Sequence, residues 1–277
     1  MAATDPVAMV KLGPDDAVAG LALSTEAQWN QNEADWRFFL NQGTVIGVRD
    51  DDGRLVATAA LLPYTSGNAW ISMVLVTAEW RRRGLATKLV DTCLEAARKQ
   101  GFTSWLDATP AGAGVYGPLG FTPTLQLRRL RLEKSAPAKS ETPATLSTCD
   151  LEGLILSDRR SIGFDRRTLL TDLGGRSGSL LLSNGHAVTL VRDGRKARHI
   201  GPLFADDAEQ ALSLVHAITA SEDGPFLIDA VSTQDRFLAG LIDSGWIVER
   251  PFQRMRFGRA TVQTMVLPFA VVGPEFG

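Results

Sequence analysis

The clearest pattern of apolar and polar positions lies between residues 70 and 108. Apolar residues run almost unbroken through 70–76, and from 84 to 99 they return at the helical period. Leu85, Leu89, Thr92, Cys93 and Ala96 then share one face. Gly101 follows as a helix-terminating residue, and 102–108 is again extended and apolar. This strand–helix–strand unit is preceded by two more strands, 44–50 and 54–62, joined by a hairpin turn at Asp51-Asp52-Gly53. Further upstream, Gly13-Pro14-Asp15-Asp16 opens one helix with acids in its first turn, and 32–40 forms a second that stops at Gly43. Downstream, a short helix over 113–119 and an extended segment over 121–132 complete an α/β or α+β unit with a mixed sheet.

The pattern lapses from Glu133 to Ala144, a stretch rich in Pro, Ala, Ser and charge that reads as a linker. Residues 1–133 therefore form one expected domain, 134–145 a linker and 146–277 a second domain. In the second, a helix is expected over 166–173 and a hairpin from 180–182 to 187–192 around Ser183-Asn184-Gly185-His186. A strand at 199–204, a helix at 207–219, a strand at 225–230 and a helix at 234–243 follow, then two closing strands over 246–255 and 265–277. The order strand–helix–strand–helix–strand recurs in both halves, which suggests a degenerate duplication.

Composition narrows the function. The chain has 277 residues, two domains' worth, and its 29 basic against 31 acidic residues give no electrostatic footprint for nucleic acid. Two cysteines, Cys93 and Cys149, exclude a disulfide scaffold and a thiolate-rich metal site, and His186, His199 and His216 show no ligand spacing. No metal is expected. No apolar run approaches the roughly 18 residues of a membrane span. Residues 1–6 lack the features of a signal peptide, so a cytoplasmic protein without a membrane partner is expected.

The chemistry concentrates in 72–89. An apolar strand runs into a basic turn, Arg81-Arg82-Arg83, and then a helix opening with Gly84-Leu85-Ala86. A helix N-terminus presents unpaired N–H groups and partial positive charge, Gly84 permits close backbone approach, and Ala86 keeps bulk away, so the turn can cradle a pyrophosphate. A basic surface turn with glycine at positive φ is the plainer reading of these residues alone.

The segment resembles motif A of the GCN5-related N-acetyltransferases, Arg/Gln-x-x-Gly-x-Gly/Ala after a strand, and Val115-Tyr116-Gly117-Pro118-Leu119-Gly120-Phe121 is similar to that family's Tyr-x-x-x-Gly-Phe segment. The resemblance implies two tandem domains, each a mixed, mostly antiparallel twisted sheet flanked by helices. It also implies an acetyl-CoA site in which the backbone of Val74, Leu75 and Val76 pairs with the pantetheine arm. Arg81, Arg82, Arg83, Gly84, Leu85, Ala86 and Thr87 would hold the pyrophosphate. Tyr116 would protonate the departing thiolate. Glu79, Asp107 and Asp35 are the candidate bases, and none is singled out. In this fold the loop carrying Trp29, Asn30, Asp35 and Trp36 borders the acceptor, although the same residues also read as a helix cap with a hydrophobic staple.

Residues 146–277 look like the acetyltransferase-type domain appended to some two-domain bacterial members. Gly201-Pro202-Leu203-Phe204-Ala205-Asp206-Asp207-Ala208 stands where motif A is expected and departs from it. Asp206 and Asp207 would cap a helix but repel a pyrophosphate, so this half is expected not to bind CoA. Asp165, Arg166, Arg167, Asp229 and Arg254 read either as acceptor contacts or as caps and surface charges. Packing, acceptor selection or dimerisation is left to this half. The expected activity is acetyl transfer from acetyl-CoA to a primary amine of a small molecule or protein, directly within a ternary complex, since no residue reads as an acyl-carrying nucleophile. A non-catalytic acyl-CoA sensor is the alternative.

Overall fold

The computed structural model describes residues 8–133, 146–259 and 266–277. The linker expected at 134–145 lies outside the described residues. The first half runs β1 (Met9–Lys11), α1 (Ala17–Glu26), α2 (Glu33–Gln42), β2 (Thr44–Arg49), β3 (Leu55–Tyr64), β4 (Asn68–Val76), α3 (Leu85–Lys99), β5 (Thr103–Ala108), α4 (Pro110–Tyr116) and β6 (Thr122–Leu132). The second runs β7 (Ser147–Thr148), α5 (Leu151–Ile162), α6 (Arg167–Gly174), β8 (Leu180–Ser183), β9 (Ala187–Arg192), β10 (Arg198–Ala205), α7 (Ala208–Ser221), β11 (Phe226–Val231), α8 (Asp235–Asp243) and β12 (Ile247–Phe257).

Local chemistry explains most of these boundaries. Asn32 caps α2 by accepting from the Asp35 amide while the Asp35 carboxylate accepts from the Asn32 amide, a reciprocal box that fixes the helix start. Thr109 accepts from the Gly112 amide and Pro110 takes the first turn of α4, so that helix begins earlier than its alanines suggest. The apolar stripe of α3, extended by Val90, Leu94 and Ala97, is buried against one face of the sheet. On the opposite face α1 and α2 of the first half and α5 and α6 of the second share one core, with Val272 and Phe276 inside it. No helix among the described residues is long and apolar enough to cross a membrane.

The described strands form one sheet, ordered β1-β2-β3-β4-β5-β12-β6-β11-β10-β9-β8-β7. At its centre the halves exchange strands. β12 pairs antiparallel with β5 of the first half, and β6 pairs antiparallel with β11 of the second. β6 and β12 pair with each other, Leu127 opposite Phe252, and reading outward from that pair the order of elements is the same on both sides. The repeat seen in the sequence is thus a pseudo-twofold about this pair. Each half contains one parallel pair, β4 with β5 and β10 with β11, and every other pairing is antiparallel. An equivalent buried ion pair stitches each exchanged strand in place. Arg129 on β6 donates to both oxygens of Asp229 on β11 at 2.8 and 2.7 Å, and Arg254 on β12 donates to both oxygens of Asp107 on β5 at 2.9 and 2.8 Å.

Candidate active site

In the first half, β4 and β5 pair for only three residues, from Asn68 opposite Thr103 to Trp70 opposite Trp105. β5 then follows β12, while β4 continues to Val76 beside β3. The two parallel strands diverge into a wedge. On its β4 side the ladder to β3 slips by one residue, Met73 takes φ 51°, and Thr58 Oγ1 donates to the Met73 carbonyl at 2.8 Å. Such a bulge re-aims the strand edge beyond it. That places Val74, Leu75 and Val76 along the open side of the wedge.

The basic turn closes the outer end. Gly84 stands at φ 75° immediately before α3, where a side chain would be strained, and no side chain caps the helix. The first amides of α3, those of Leu85, Ala86 and Thr87, therefore face outward without a cap. Arg81 donates from Nε to the Val76 carbonyl at 3.1 Å. Arg83 lies 4.6 Å over the Trp80 ring and donates to the Glu79 carbonyl. Arg82, at φ 61°, is exposed. The Leu85 side chain is buried in the core, so its backbone alone faces the turn.

The inner end of the wedge opens into a cavity of about 90 Å³ next to Tyr116. Tyr116 ends α4 with its ring 6.1 Å from that of Phe121, and its hydroxyl has no hydrogen-bond partner among the described residues. Burial pushes its pKa up to about 12. Gly112 makes room for the ring, since a Cβ there would lie 2.9 Å from Tyr116 Cε2.

The structure separates the sequence candidates. Of the acceptor-loop residues, Trp29 lines the cavity. Asn30 instead clasps the second half, donating to the Ala197 carbonyl and accepting from the amides of Lys196 and Ala197. Asp35 caps α2 and accepts from Arg176, and Trp36 is fully buried with its indole on Ser24 Oγ. Asn30 and Asp35 are turned to structural contacts because the loop's neighbour is the other half of the chain, and Trp36 because it packs on α1 of its own half. Of the candidate bases, Asp107 alone reaches the cavity, with both oxygens on Arg254. Burial raises its pKa, opposed by the Arg254 charge. Glu79 is exposed and paired with Arg54. Sequence reasoning missed Gln31, Ser72, Arg129, Arg250 and Glu275, which also line the cavity. Three of them come from the exchanged strands and the final segment, which no local spacing places beside β4.

The second-half residues named as alternatives are structural in most cases. Arg166 donates to both oxygens of buried Asp158, Arg167 pairs with Glu152, and Asp165 accepts from the Arg167 amide. Asp229 is completely buried, accepting from Arg129 and lying 2.9 Å from His199 Nε2. Burial alone would raise the Asp229 carboxyl, but the charge of Arg129 and the hydrogen bonds outweigh it and hold it below the usual carboxylate range.

The second half has its own wedge, since β10 and β11 also pair for only three residues, Arg198 to Ile200. Here the final segment, expected as a closing strand, enters between them. The Leu203 amide donates to the Ala270 carbonyl and the Phe269 amide to the Leu203 carbonyl. On the other side the Val231 amide donates to the Phe269 carbonyl and the Val271 amide to the Asp229 carbonyl. Asp207 caps α7 by accepting from the Gln210 amide, with Asp206 beside it against His186.

Comparison with known proteins agrees with this geometry. Residues 16–121 match the model of the acetyltransferase (GNAT) family, and residues 155–266 match a second acetyltransferase (GNAT) domain model. The N-acetyltransferase YitH of Bacillus subtilis (strain 168), itself described as uncharacterized, is 23% identical over 247 residues, covering 86% of this chain and 87% of that protein. A proposed acetyltransferase from Pyrococcus horikoshii shares the fold with a TM-score of 0.81 at 19% identity, over 99% of this chain and 97% of the other. A tandem GNAT protein from the clavulanic acid biosynthesis pathway does so with a TM-score of 0.66 at 16% identity, over 92% and 100%. Two matched domains, in a sheet with the expected mixed order, establish that the chain belongs to the GNAT family and is an N-acetyltransferase with two such domains in tandem.

Proposed function

We propose that the wedge between β4 and β5 binds acetyl-CoA, that the cavity beside Tyr116 receives an amine, and that the acetyl group passes directly between them. The observation that carries this reading is the contrast between the two wedges. One is filled by residues 269–271 of the chain itself, whose backbone bonds to both splayed strands. The other is open, with a bulged strand edge leading to an uncapped helix N-terminus. An extended pantetheine arm would take, in the open wedge, the part that 269–271 takes in the filled one.

The residues fit that ligand. Val74 to Val76 offer a strand edge, with Arg81 giving up the Val76 carbonyl. The amides of Leu85, Ala86 and Thr87 meet the pyrophosphate at the positive end of α3. Gly84 leaves open space, with no atom within 4 Å of where its Cβ would stand. Arg81, Arg82 and Arg83 make no ion pair among the described residues, which leaves their charge for phosphate.

In the transfer, the amine nitrogen adds to the thioester carbonyl carbon, the C–S bond breaks, and the Tyr116 hydroxyl donates a hydrogen bond to the sulfur as it takes the negative charge, the departing thiolate drawing its proton from water. The ammonium proton leaves to water, because Asp107 is held through both oxygens by Arg254 and Glu275 by Arg192 at 2.8 Å. An acyl-enzyme is disfavoured. Cys93 is buried in the α3 core with its thiol pushed up to about 12 by burial, and a thiol needs its thiolate to act as a nucleophile. The second half, with its filled wedge and acid-capped α7, would serve as scaffold and as a wall of the acceptor cavity.

The test is the double variant Arg83→Glu with Gly84→Glu, which sets two carboxylates at the cradle. Acetyl-CoA affinity should fall by at least about a hundredfold with the circular-dichroism spectrum unchanged. Retained affinity in the folded variant would overturn the assignment.

A further inference from the structure

The wall of the cavity beside Tyr116 holds one charge that has no ion-pair partner among the described residues. Three of its four ionisable side chains from the central strands and final segment are neutralised: Arg129 by Asp229, Asp107 by Arg254, and Glu275 by Arg192. Arg250 has no ion pair among the described residues, and its Nε is buried without a hydrogen-bond partner.

Its surroundings make that arrangement costly. Arg250 on β12 stands directly opposite Arg129 on β6, and both guanidinium carbons lie 5.2 Å from the centre of the Phe252 ring. Like charges facing each other across a ladder destabilise a sheet. Burial, and the neighbouring charge of Arg129, both pull the Arg250 pKa down. An arginine nonetheless keeps its proton, so the fold carries a cation that rests on the Phe252 ring and has no ion-pair partner among the described residues.

Two further polar groups line the same cavity. Gln31 Oε1 and Ser72 Oγ are buried and have no hydrogen-bond partner. Native proteins leave few such groups unpaired, and a cation, a carbonyl acceptor and a hydroxyl lining one cavity together describe a complementary ligand. It has an anionic group for the guanidinium and an N–H for the carbonyl. A planar guanidinium matches a carboxylate in a two-point fork. The cavity, at about 90 Å³, has room for several water molecules, which suits the head of a small molecule.

We infer that the acceptor is a small amine that also bears a carboxylate, an amino acid or a close relative, and that Arg250 is the residue that selects it. The inference rests on the assignment of the β4–β5 wedge to acetyl-CoA. Arg250 holds the carboxylate, Gln31 accepts from the amine end, and Arg129 adds its field while remaining bound to Asp229.

The test uses the full chain as wild type, Arg250→Gln and Arg250→Lys. CoA release is measured with each standard amino acid against its carboxamide, with β-alanine against propylamine, and with phosphoethanolamine. Binding of the same acids is followed by calorimetry in the presence of CoA. Carboxylates should exceed their carboxamides at least about tenfold in kcat/KM. Arg250→Gln should erase that preference through KM, and Arg250→Lys, which keeps the charge but not the fork, should recover part of it. Acetyl-CoA should bind all three proteins alike, and Arg250→Gln should be no less stable than wild type, since it removes a like-charge pair.

Neutral amines or polyamines turned over as well as acids would overturn the inference. So would a phosphoethanolamine preference, an undiminished carboxylate preference in Arg250→Gln, or no acid that binds at all. Failure of wild type to bind acetyl-CoA would instead overturn the wedge assignment, and the acid titrations would still decide whether Arg250 is an anion site.

Discussion

Replacing Tyr116 with phenylalanine removes one oxygen and little else. The hydroxyl has no protein hydrogen-bond partner among the described residues, and the ring keeps its contact with Phe121. Stability should therefore change by less than about 0.5 kcal/mol, the ordinary range for a substitution that breaks no partnered group. The kinetic effect follows from the raised pKa. A hydroxyl at about 12 faces a thiol whose ordinary pKa is about 8.5, a gap of roughly 3.5 units or about 5 kcal/mol. Complete proton transfer to a relaxed thiolate is uphill by that amount, so in the proposed transfer the hydroxyl acts chiefly as a donor to sulfur while negative charge develops. A hydrogen bond to a charged group is worth about 1.5–3 kcal/mol, which sets the loss in kcat between about tenfold and a hundredfold. KM for acetyl-CoA should stay within about twofold, because the cradle residues are untouched. The sign of the shift also fixes the pH profile: a phenol with a raised pKa stays protonated up to about pH 11, so Tyr116 contributes no alkaline fall below that. Steady-state CoA release from pH 6 to 10 measures all three quantities. A kcat within twofold of wild type, or an alkaline limb near pH 9 that vanishes in the variant, would refute the reasoning.

Gly112→Ala sets a methyl group 2.9 Å from the Tyr116 ring, so it should reduce kcat while leaving acetyl-CoA affinity near the wild-type value. Unchanged kcat would mean that the ring position is not critical. Asp229→Asn leaves Arg129 charged and buried between β6 and β11, and urea denaturation should show a loss of about 3–5 kcal/mol. A loss below about 1 kcal/mol would show that the strand exchange does not depend on this pair. His199 is fully buried with Nδ1 unpartnered and its pKa lowered, first by burial. Its unfolded form therefore binds a proton that the folded form refuses, and stability should fall as pH drops below about 6.5. His199→Gln should flatten that slope between pH 6.5 and 5, and a slope identical to wild type would assign the effect elsewhere.

What was legible in the sequence was local. The α3 stripe, the Gly84 turn and the β4 run have strong periods or unusual residues, and each stands where it was expected. Helix α5 was not foreseen. It carries Leu151, Leu154, Ile155 and Ile162 on one side, but the stripe position between them is Asp158, buried in an ion pair with Arg166 fifteen residues after the helix begins. A buried charge satisfied from outside its own element erases the hydrophobic period that would announce the helix. The strand exchange was hidden for a similar reason, because pairing of β5 with β12 joins residues about 150 apart in sequence, and local pattern carries no information about it. The same separation explains the acceptor site. Asn30 and Asp35 have the residue types of a binding loop, yet their partners Ala197 and Arg176 in the other half turn them to packing, while Trp36 packs locally on Ser24. Arg250, by contrast, looks like one of many surface arginines until β12 sets it opposite Arg129.

Of the two wedges, only the one between β4 and β5 is proposed to bind acetyl-CoA. Calorimetric titration of acetyl-CoA into the purified chain tests it most directly, because stoichiometry is read along with affinity. One site per chain is expected, lost in Arg83→Glu with Gly84→Glu and unaffected by Asp206→Ala with Asp207→Ala. Two sites would mean that residues 269–271 yield the β10–β11 wedge to ligand, and no binding would mean that the open wedge is not an acyl-CoA site. Either result would overturn the assignment of a single acetyl-CoA wedge.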